Sequence, residues 1–144
     1  MSFNIENYNV EYKQQILDVW EKSVLETHHF LSKEDFIEIK EFLNNFDFEN
    51  LDVYCLIENK IVIGFLGLYD KKIEMLFLDP KFIGKGLGKK MLDFAIVTLH
   101  ANKVDVNEQN KHAKEFYEKF GFKVYERTEK DDLGKNYPIL KMKL

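Results

Sequence analysis

The chain has 144 residues and a formal net charge of -4 at pH 7, and 45% of its residues are hydrophobic, 15% aromatic and 32% charged. This length and composition are typical of one soluble globular domain that needs no disulfide or metal ion to hold its core. The acidic balance argues against a nucleic-acid partner, no uncharged apolar run approaches the ~18 residues of a membrane span, and the single cysteine, Cys55, excludes an internal disulfide. Residues 1–6 lack the basic stretch and apolar core of a signal peptide, so a cytoplasmic location is expected.

The first half of the chain is predicted to form a strand, two helices and then a three-stranded antiparallel meander. Ile16, Trp20 and Val24 recur every four positions, which predicts a helix from about residue 10 to 26. Ser32 and Asp35 resemble a capping box at the start of a second helix. The apolar residues expected on the buried face of that helix are Phe36, Ile39, Leu43 and Phe46. The predicted strands are 3–7, 51–57, 61–69 and 73–78, the last three joined by tight turns at 58–60 and 70–72.

The second half is predicted to alternate helices and strands. Helices are expected at about 87–101 and at 110–120, where Gly121 ends the second. Short strands are expected at 104–106, 122–127 and 139–144, with a polar loop at 128–137. A strand–helix–strand connection normally leaves its two strands parallel. The predicted fold is therefore a single α/β domain over residues 1–144, with a central, mostly antiparallel mixed sheet, one parallel β–α–β crossover and flanking helices.

A glycine-rich segment, LDPKFIGKGLGKK from Leu78 to Lys90, joins the meander to the following helix. Gly84, Gly86 and Gly88 alternate in it, and the lack of a Cβ lets a ligand approach the backbone closely. The helix start that follows offers unpaired N–H groups and a partial positive charge. The segment therefore predicts an anion site, most often one for phosphate. The lysines that flank it are Lys81, Lys85, Lys89 and Lys90.

Three interpretations of this segment follow from its residues alone. A Rossmann fingerprint would need a third glycine where the chain has Lys89, although Asp105 lies about where a ribose-binding acid would. A Walker A loop would need glycine in place of Ile83 and a hydroxyl residue in place of Lys90. The third interpretation is a glycine turn that binds no ligand.

Two motifs resemble those of the GNAT acyltransferase superfamily. Residues 83–88 follow its loop motif Q/R-x-x-G-x-G/A, which binds the pyrophosphate of acetyl-coenzyme A (acetyl-CoA), except that Ile83 stands at the glutamine or arginine position. Residues 107–122, NEQNKHAKEFYEKFGF, resemble its N-x-x-N-x-x-A-x-x-F/L-Y-x-x-x-G-F segment. The order of the predicted elements also agrees from end to end. Residues 27–31 and 131–138 further resemble a small bacterial, YjaB-like subgroup of N-acetyltransferases.

The resemblance implies an N-acetyltransferase that moves the acetyl group of acetyl-CoA directly to a primary amine in a small molecule, a peptide or a protein. It places the pantetheine arm along residues 74–78, where a backbone N–H near Leu76 would polarise the thioester carbonyl, and it gives Tyr117 the role of protonating the sulfur. The residues that it assigns to the cofactor are Leu76, Phe77, Leu78, Ile83, Gly84, Lys85, Gly86, Leu87, Gly88, Lys89, Asn107, Asn110, Ala113 and Phe116. Asn110 and Tyr117 also have purely structural interpretations, as a helix N-cap and as a core residue.

Two residues are candidates for the base that deprotonates the amine. Glu74 lies at the start of the strand that would hold the thioester, and His28 lies between the first two helices, near the acceptor site that the resemblance implies. Reaction of the neutral fraction of the amine, without a dedicated base, is the third alternative. No cluster of His, Cys, Asp and Glu has ligand spacing, so no metal is expected. The alternative function is a non-catalytic acyl-CoA-binding or regulatory module on the same fold, and either protein would be a monomer or a homodimer.

Overall fold

A mixed seven-stranded sheet forms the centre of the protein in a computed structural model that describes residues 3–144. The strands are β1 (Asn4–Asn7), β2 (Asp52–Glu58), β3 (Ile61–Tyr69), β4 (Lys72–Leu78), β5 (Lys103–Asn107), β6 (Lys123–Thr128) and β7 (Ile139–Lys143). The helices are α1 (Lys13–Thr27), α2 (Lys33–Asn44), α3 (Leu87–Asp93) and α4 (Lys111–Lys119). The strand order is β1-β2-β3-β4-β5-β7-β6, and all neighbours are antiparallel except β4 and β5. The predicted α/β fold class with one parallel crossover is confirmed.

Two-residue turns produce the predicted meander of β2, β3 and β4. Asn59 and Lys60 have φ angles of 49° and 67°, and Asp70 and Lys71 have φ angles of 48° and 68°. Left-handed geometry at both central residues matches the right-handed twist of the flanking strands, so these turns make tight hairpins. The last strand of the meander, β4, starts at Lys72, one residue earlier than expected, so Lys72 is not part of the turn.

The helices cover both faces of the sheet, and β3 supplies side chains to each face. On one face Phe65 belongs to a core cluster with Ile16 and Trp20 of α1. On the other face Leu66 belongs to a cluster with Leu92 of α3. Because successive side chains of a strand point to opposite faces, this alternation divides the interior into two cores with the sheet between them.

α2 packs less deeply than its sequence pattern predicts. Leu43 is its one buried residue, whereas Phe36 and Ile39 are half-buried and Phe46 lies beyond the end of the helix. The ring of Phe36 stacks on Trp20 of α1 at 5.4 Å between centroids. α2 therefore contributes fewer buried side chains to the core on this face than α1 does.

The helix after the glycine segment is shorter than expected. α3 ends at Asp93 and continues as a π-helical turn, Phe94–Thr98, which the Leu99 N–H closes by donating to the Phe94 carbonyl at 3.2 Å. The β-branched run Ile96, Val97 and Thr98 favours departure from α geometry. Within residues 3–144, none of the helices combines the length and the apolar composition that crossing a bilayer requires.

β4 and β5 separate soon after they meet. Their parallel ladder has two residue pairs, Lys72 with Lys103 and Ile73 with Val104. Beyond these pairs β5 continues along β7, and β4 continues along β3. Glu74 is the extra residue of a β-bulge, because Ile73 pairs with Leu68 and Met75 with Gly67. The space between β4 after Ile73 and β5 after Val104 is called the β4–β5 fork below.

Candidate active site

The glycine segment begins at the far end of β4 and is anchored at Asp79. This aspartate is buried, its backbone N–H donates to Ile63 at 2.7 Å, and its Oδ1 accepts from the Lys81 N–H at 3.0 Å. Gly84 and Gly86 have φ angles of +86° and +77°, and a Cβ added to either would meet no atom within 4 Å. These glycines are therefore required by the backbone conformation and not by crowding from the protein.

The lysines of the segment point in different directions. Lys90 reaches back to the residue before β1, where its Nζ donates to the Phe3 carbonyl at 3.0 Å, so its ammonium already has a partner in the protein. The Nζ of Lys85 lies 5.3 Å from the centre of the Phe82 ring. Lys81 and Lys89 are exposed, as is the side chain of Ile83. Lys85 and Lys89 thus remain as candidates to offset a negative ligand at the loop, since Lys81 borders a cavity beside α1.

α4 lies directly beside the start of α3. A Cβ on Gly88 would meet Cζ of Phe116 at 3.6 Å, so Phe116 contacts the glycine segment. Asn110 caps α4, because its Oδ1 accepts from the Ala113 N–H at 3.1 Å, and its backbone N–H donates to Asn107 at 2.9 Å. The fold therefore brings together the two motifs that the sequence separates by about twenty residues.

Tyr117 is the one fully buried residue of α4, with 6% of its surface exposed. Its ring packs edge-on against Phe116 and Phe122 at centroid distances of 5.3 and 5.7 Å. Burial raises the pKa of the phenol above its ordinary value of 10. The hydroxyl is therefore fully protonated at neutral pH, and it can donate a proton there but cannot act as a base.

Three carboxylates and one ammonium meet at the point where the β4–β5 fork opens. Oxygens of Glu74, Asp105 and Asp132 lie within 4.8 Å of one another. The Nζ of Lys72 lies 3.0 Å from Oε1 of Glu74 and 3.1 Å from Oδ2 of Asp105. Partial burial alone would lower the pKa of Lys72, but its hydrogen bonds to Glu74 and Asp105 outweigh this and raise it. The Lys72 side chain is therefore protonated at neutral pH, so the cluster contains three carboxylates and one ammonium group of the protein itself.

Sequence reasoning did not find this cluster. Lys72 was expected in the turn, Asp105 was considered only as a ribose-binding acid, and Asp132 comes from a distant loop. The available signal was the spacing of Lys72 and Glu74, since residues two apart on a strand tend to share a face.

His28 ends α1 and lies on the face of the sheet covered by α1 and α2. Its ring centre is 5.2 Å from that of Phe30 and 6.5 Å from that of Phe77 on β4, and its Nδ1 is 2.7 Å from Oγ1 of Thr27. Burial, and to a lesser extent the charge of His29, lower the pKa of His28 from 6.5 to about 4. The imidazole is thus neutral at pH 7 but weakly basic. His28, Glu74 and Tyr117 form no hydrogen bonds with one another.

The loop between β6 and β7 is fastened to the start of α2. Oη of Tyr137 accepts from the Ser32 N–H at 3.2 Å and donates to Asp35, while Nζ of Lys135 pairs with Asp35 at 3.0 Å and with Glu38. Hydrogen bonds from Tyr137 and then Lys135 lower the pKa of Asp35. We call this set the polar latch. The polar latch includes both residues of the predicted capping box. The Asp35 N–H donates to Ser32 Oγ at 3.1 Å, while the Asp35 carboxylate binds Lys135 and Tyr137 of the loop.

A separate cavity of about 230 Å³ lies between α1 and the β2–β3 hairpin. Its walls include Gln15, Lys22, Glu58 and Asp79, and Oε2 of Glu58 is buried there without a hydrogen-bond partner among the described residues. The cavity borders the glycine segment at Asp79, Lys81 and Phe82, but none of the residues predicted for catalysis or for cofactor binding lines it. The candidate site is therefore the β4–β5 fork with the loop from Gly84 to Lys89.

Comparison with known protein families and sequences agrees with the motifs. The sequence model of the acetyltransferase (GNAT) domain matches residues 12–144. Two curated relatives are named peptidyl-lysine N-acetyltransferase YjaB. The protein from Salmonella typhimurium is 36% identical over 142 residues, which cover 99% of this chain and 98% of the relative. The protein from Escherichia coli is 35% identical over 142 residues, which cover 99% of this chain and 97% of the relative.

Solved structures agree with the fold. The solution structure of apo-form YjaB from Escherichia coli superposes with a TM-score of 0.91 at 33% identity, covering 99% of this chain and 97% of that one. The PaiA N-acetyltransferase of Thermoplasma acidophilum, solved in complex with coenzyme A, superposes with a TM-score of 0.69 at 24% identity, covering 100% of both chains. At that identity the second match supports the fold alone.

Proposed function

The chain belongs to the acetyltransferase (GNAT) family and is an acetyl-CoA-dependent N-acetyltransferase, and on this premise we propose that it acetylates the side-chain amine of lysine in peptides or proteins. The observation that carries the proposal is the name shared by two relatives, each aligned over 99% of this chain. The chemistry of the fork supports it, because the carboxylates of Glu74, Asp105 and Asp132 would attract an ammonium group. The alternative of a non-catalytic acyl-CoA-binding module finds no support among these relatives, both of which are named as enzymes.

The glycine segment fits the pyrophosphate of acetyl-CoA. With open space beside Gly84 and Gly86, phosphate oxygens can reach the backbone N–H groups without a side chain between them. Ile83 cannot donate to phosphate, but Lys85 and Lys89 bring positive charge to the same loop. We propose that Gly84, Lys85, Gly86, Gly88 and Lys89 hold the pyrophosphate. The remaining cofactor contacts that the sequence predicts, at Leu76, Phe77, Leu78, Ile83, Leu87, Asn107, Asn110, Ala113 and Phe116, stay predictions.

Bound acetyl-CoA supplies the acetyl group as an activated thioester. Because β5 pairs with β4 only at Lys72 and Ile73, backbone groups farther along β4 near Leu76 border the fork without a partner on β5. An N–H group there is the proposed donor to the carbonyl oxygen. Tyr117 is the proposed proton donor for the leaving sulfur, by its match to the superfamily motif; its phenol is protonated at neutral pH, although burial makes it a weaker acid than a free tyrosine.

Glu74 is the better placed of the two candidate bases, because it lies on the strand that would hold the thioester. The amine to be acetylated is mostly protonated at pH 7, so a base that accepts its proton would increase the reactive fraction. His28, with a pKa of about 4, lies beside the rings of Phe30 and Phe77. Glu74 lies in the bulge where the fork opens, and its Oε1 pairs with the Lys72 ammonium at 3.0 Å. We propose that Glu74 accepts the proton, directly or through water, and that His28 with Phe30 and Phe77 lines the path of the acceptor.

A matched pair of peptides tests the acceptor. One peptide carries a single lysine, the other carries arginine at that position, and both have a blocked N-terminus. Acetylation of the lysine peptide alone, followed by mass spectrometry and by release of free thiol, would support the proposal. If the enzyme transfers acetyl groups to small amines or to free peptide N-termini but leaves the lysine peptide unmodified, the proposed acceptor is wrong.

The Gly86→Asp variant provides the negative control, because its added carboxylate would repel the pyrophosphate. Normal acetyl-CoA affinity in that variant would mean that the loop is misassigned. A single-domain organisation over residues 1–144, a cytoplasmic location and a monomeric or homodimeric state stay predictions from the sequence.

A further inference from the structure

Lys72 connects the two arms of the β4–β5 fork at the place where they part. The last residue pair of the ladder joins Ile73 to Val104. The next residue on β4 is Glu74 and the next on β5 is Asp105, and the Lys72 ammonium binds both, at 3.0 and 3.1 Å. One side chain thus joins the first residue beyond the ladder on each strand.

We infer that Lys72 is a positioning residue for acetyl transfer, whose ammonium fixes the Glu74 carboxylate in the fork and ties it to Asp105. The inference rests on the proposed role of Glu74 as the base. As a positioning residue, Lys72 does not itself touch the reacting atoms. It acts through Glu74, and its own amine is the partner of two carboxylates and not a nucleophile.

The β-bulge explains why Glu74 needs such a partner. A bulged residue has no opposite residue on β3, so the ladder that orients its neighbours does not orient it. A glutamate side chain also has many rotamers, and fixing one of them requires a specific interaction. Lys72 supplies this interaction in a partly shielded setting, since the side chains of Lys72, Glu74 and Asp105 are 28%, 23% and 17% exposed. Such a pair is less screened by salt than one on the open surface.

The charges around Glu74 give the inference a signature that a purely structural role lacks. Glu74 faces Lys72 on its own strand, Asp105 on β5 and Asp132 on the β6–β7 loop. Lys141 of β7, the cross-strand neighbour of Asp105, is directed instead to Glu126 at 3.8 Å. Without the Lys72 ammonium, three carboxylates would face one another with no cation, and proton uptake by the cluster would become easier. The acid limb of the activity profile should then move to higher pH.

The test compares Lys72→Met, Lys72→Arg and the control Lys103→Met. Lys103 is the partner of Lys72 in the parallel ladder, so replacing it removes the same charge from a nearby position. Its side chain is exposed and its Nζ lies 6.0 Å from the centre of the Tyr125 ring, so the replacement leaves the contacts of Glu74 intact. We expect Lys72→Met to lower kcat about tenfold or more, to leave KM for acetyl-CoA unchanged and to shift the acid limb of kcat/KM upward in pH. Lys72→Arg should restore most of kcat, and Lys103→Met should behave as the wild type.

A double-mutant cycle shows whether Lys72 acts through Glu74. In the Glu74→Gln background, Lys72→Met should have little further effect on kcat. Three results would each overturn the inference. The first is that the losses of kcat from the two substitutions add in the double mutant, and the second is that Lys72→Met and Lys103→Met lose kcat equally. The third is that Lys72→Met keeps a normal kcat and an unchanged pH profile.

The same series separates this inference from the proposed function. It is run with whichever amine the wild type acetylates fastest, so an unreactive lysine peptide would refute the acceptor class without touching Lys72. A normal kcat in Glu74→Gln would refute the role of Glu74 as base, and with it the inference. Melting temperatures of all variants identify a variant that fails to fold, in which case Lys72→Gln replaces Lys72→Met.

Discussion

Alanine at Gly86 and at Gly88 should change stability in opposite directions. Gly86 has a φ of +77° and free space around a new Cβ, so the penalty for alanine is conformational and amounts to about 1–2 kcal/mol. Gly88 has no positive φ, and its new Cβ would meet Phe116 at 3.6 Å, an ordinary contact. Because alanine also reduces the freedom of the unfolded chain and favours the helix, Gly88→Ala should stabilise the protein by about 0.4–1 kcal/mol.

The same pair should separate cofactor binding from stability. Alanine at Gly86 favours a backbone outside the left-handed region, which would displace the N–H groups of the loop and weaken coenzyme A binding about tenfold or more, equivalent to about 1.4 kcal/mol. At Gly88 the superfamily motif accepts alanine, and the protein has room for it, so affinity should be retained. Urea denaturation measures the stabilities, and isothermal titration with coenzyme A measures the affinities.

Either of two results would refute this reasoning. If Gly86→Ala binds coenzyme A as the wild type does, the left-handed backbone of the loop is not what holds the pyrophosphate. If Gly88→Ala is destabilised, α4 and α3 are packed more tightly at Phe116 than a 3.6 Å contact indicates. Loss of affinity in Gly88→Ala alone would place the ligand against that glycine and not against Gly86.

Three further predictions concern buried groups. Tyr117→Phe should lower kcat by about 10²-fold or more with little change in coenzyme A affinity, and an unchanged kcat would remove Tyr117 from the mechanism. Folding lowers the pKa of His28 from 6.5 to about 4, so between these pH values the unfolded chain binds a proton that the folded protein does not. The free energy of unfolding should therefore fall by up to about 3 kcal/mol as pH drops from 6.5 through 4. In urea titrations His28→Gln should flatten this pH dependence, whereas His112→Gln, at an exposed position, should not. Burial, and then the charge of Glu6, raise the pKa of Cys55 to about 12, so a thiol reagent should label Cys55 only after unfolding, and rapid labelling of the native protein would contradict its burial.

Local signals predicted most of the fold. Tight turns, four-residue spacing and the Ser32 cap are short-range features, and the strands and helices that depend on them form close to their expected positions. The errors fall where packing or distant residues decide the outcome. The length of α3 depends on a π turn, and the shallow burial of α2 depends on its tertiary packing and not on its own apolar pattern.

The candidate site was predictable only where its residues are adjacent in sequence. The glycine segment and the segment from Asn107 to Phe122 each carry a motif that can be recognised without a structure. The carboxylate cluster cannot be recognised in this way, because it requires the fork, the bulge at Glu74 and the loop that brings Asp132. The polar latch likewise joins Tyr137 to Asp35 across 102 positions of the chain.

The narrow ladder between β4 and β5 has a mechanical consequence. With two residue pairs between them, β1–β4 and β5–β7 are two parts of one sheet that share a narrow seam. What keeps these halves together is chiefly the apolar cluster that spans the seam, in which Leu66 and Leu68 of β3 pack with Val104 and Met142. Apolar contacts are not directional, so the halves can change their relative twist by repacking side chains while nearly every backbone hydrogen bond stays intact. We therefore expect the seam to give compliance across the proposed reaction cleft without loosening either half of the sheet.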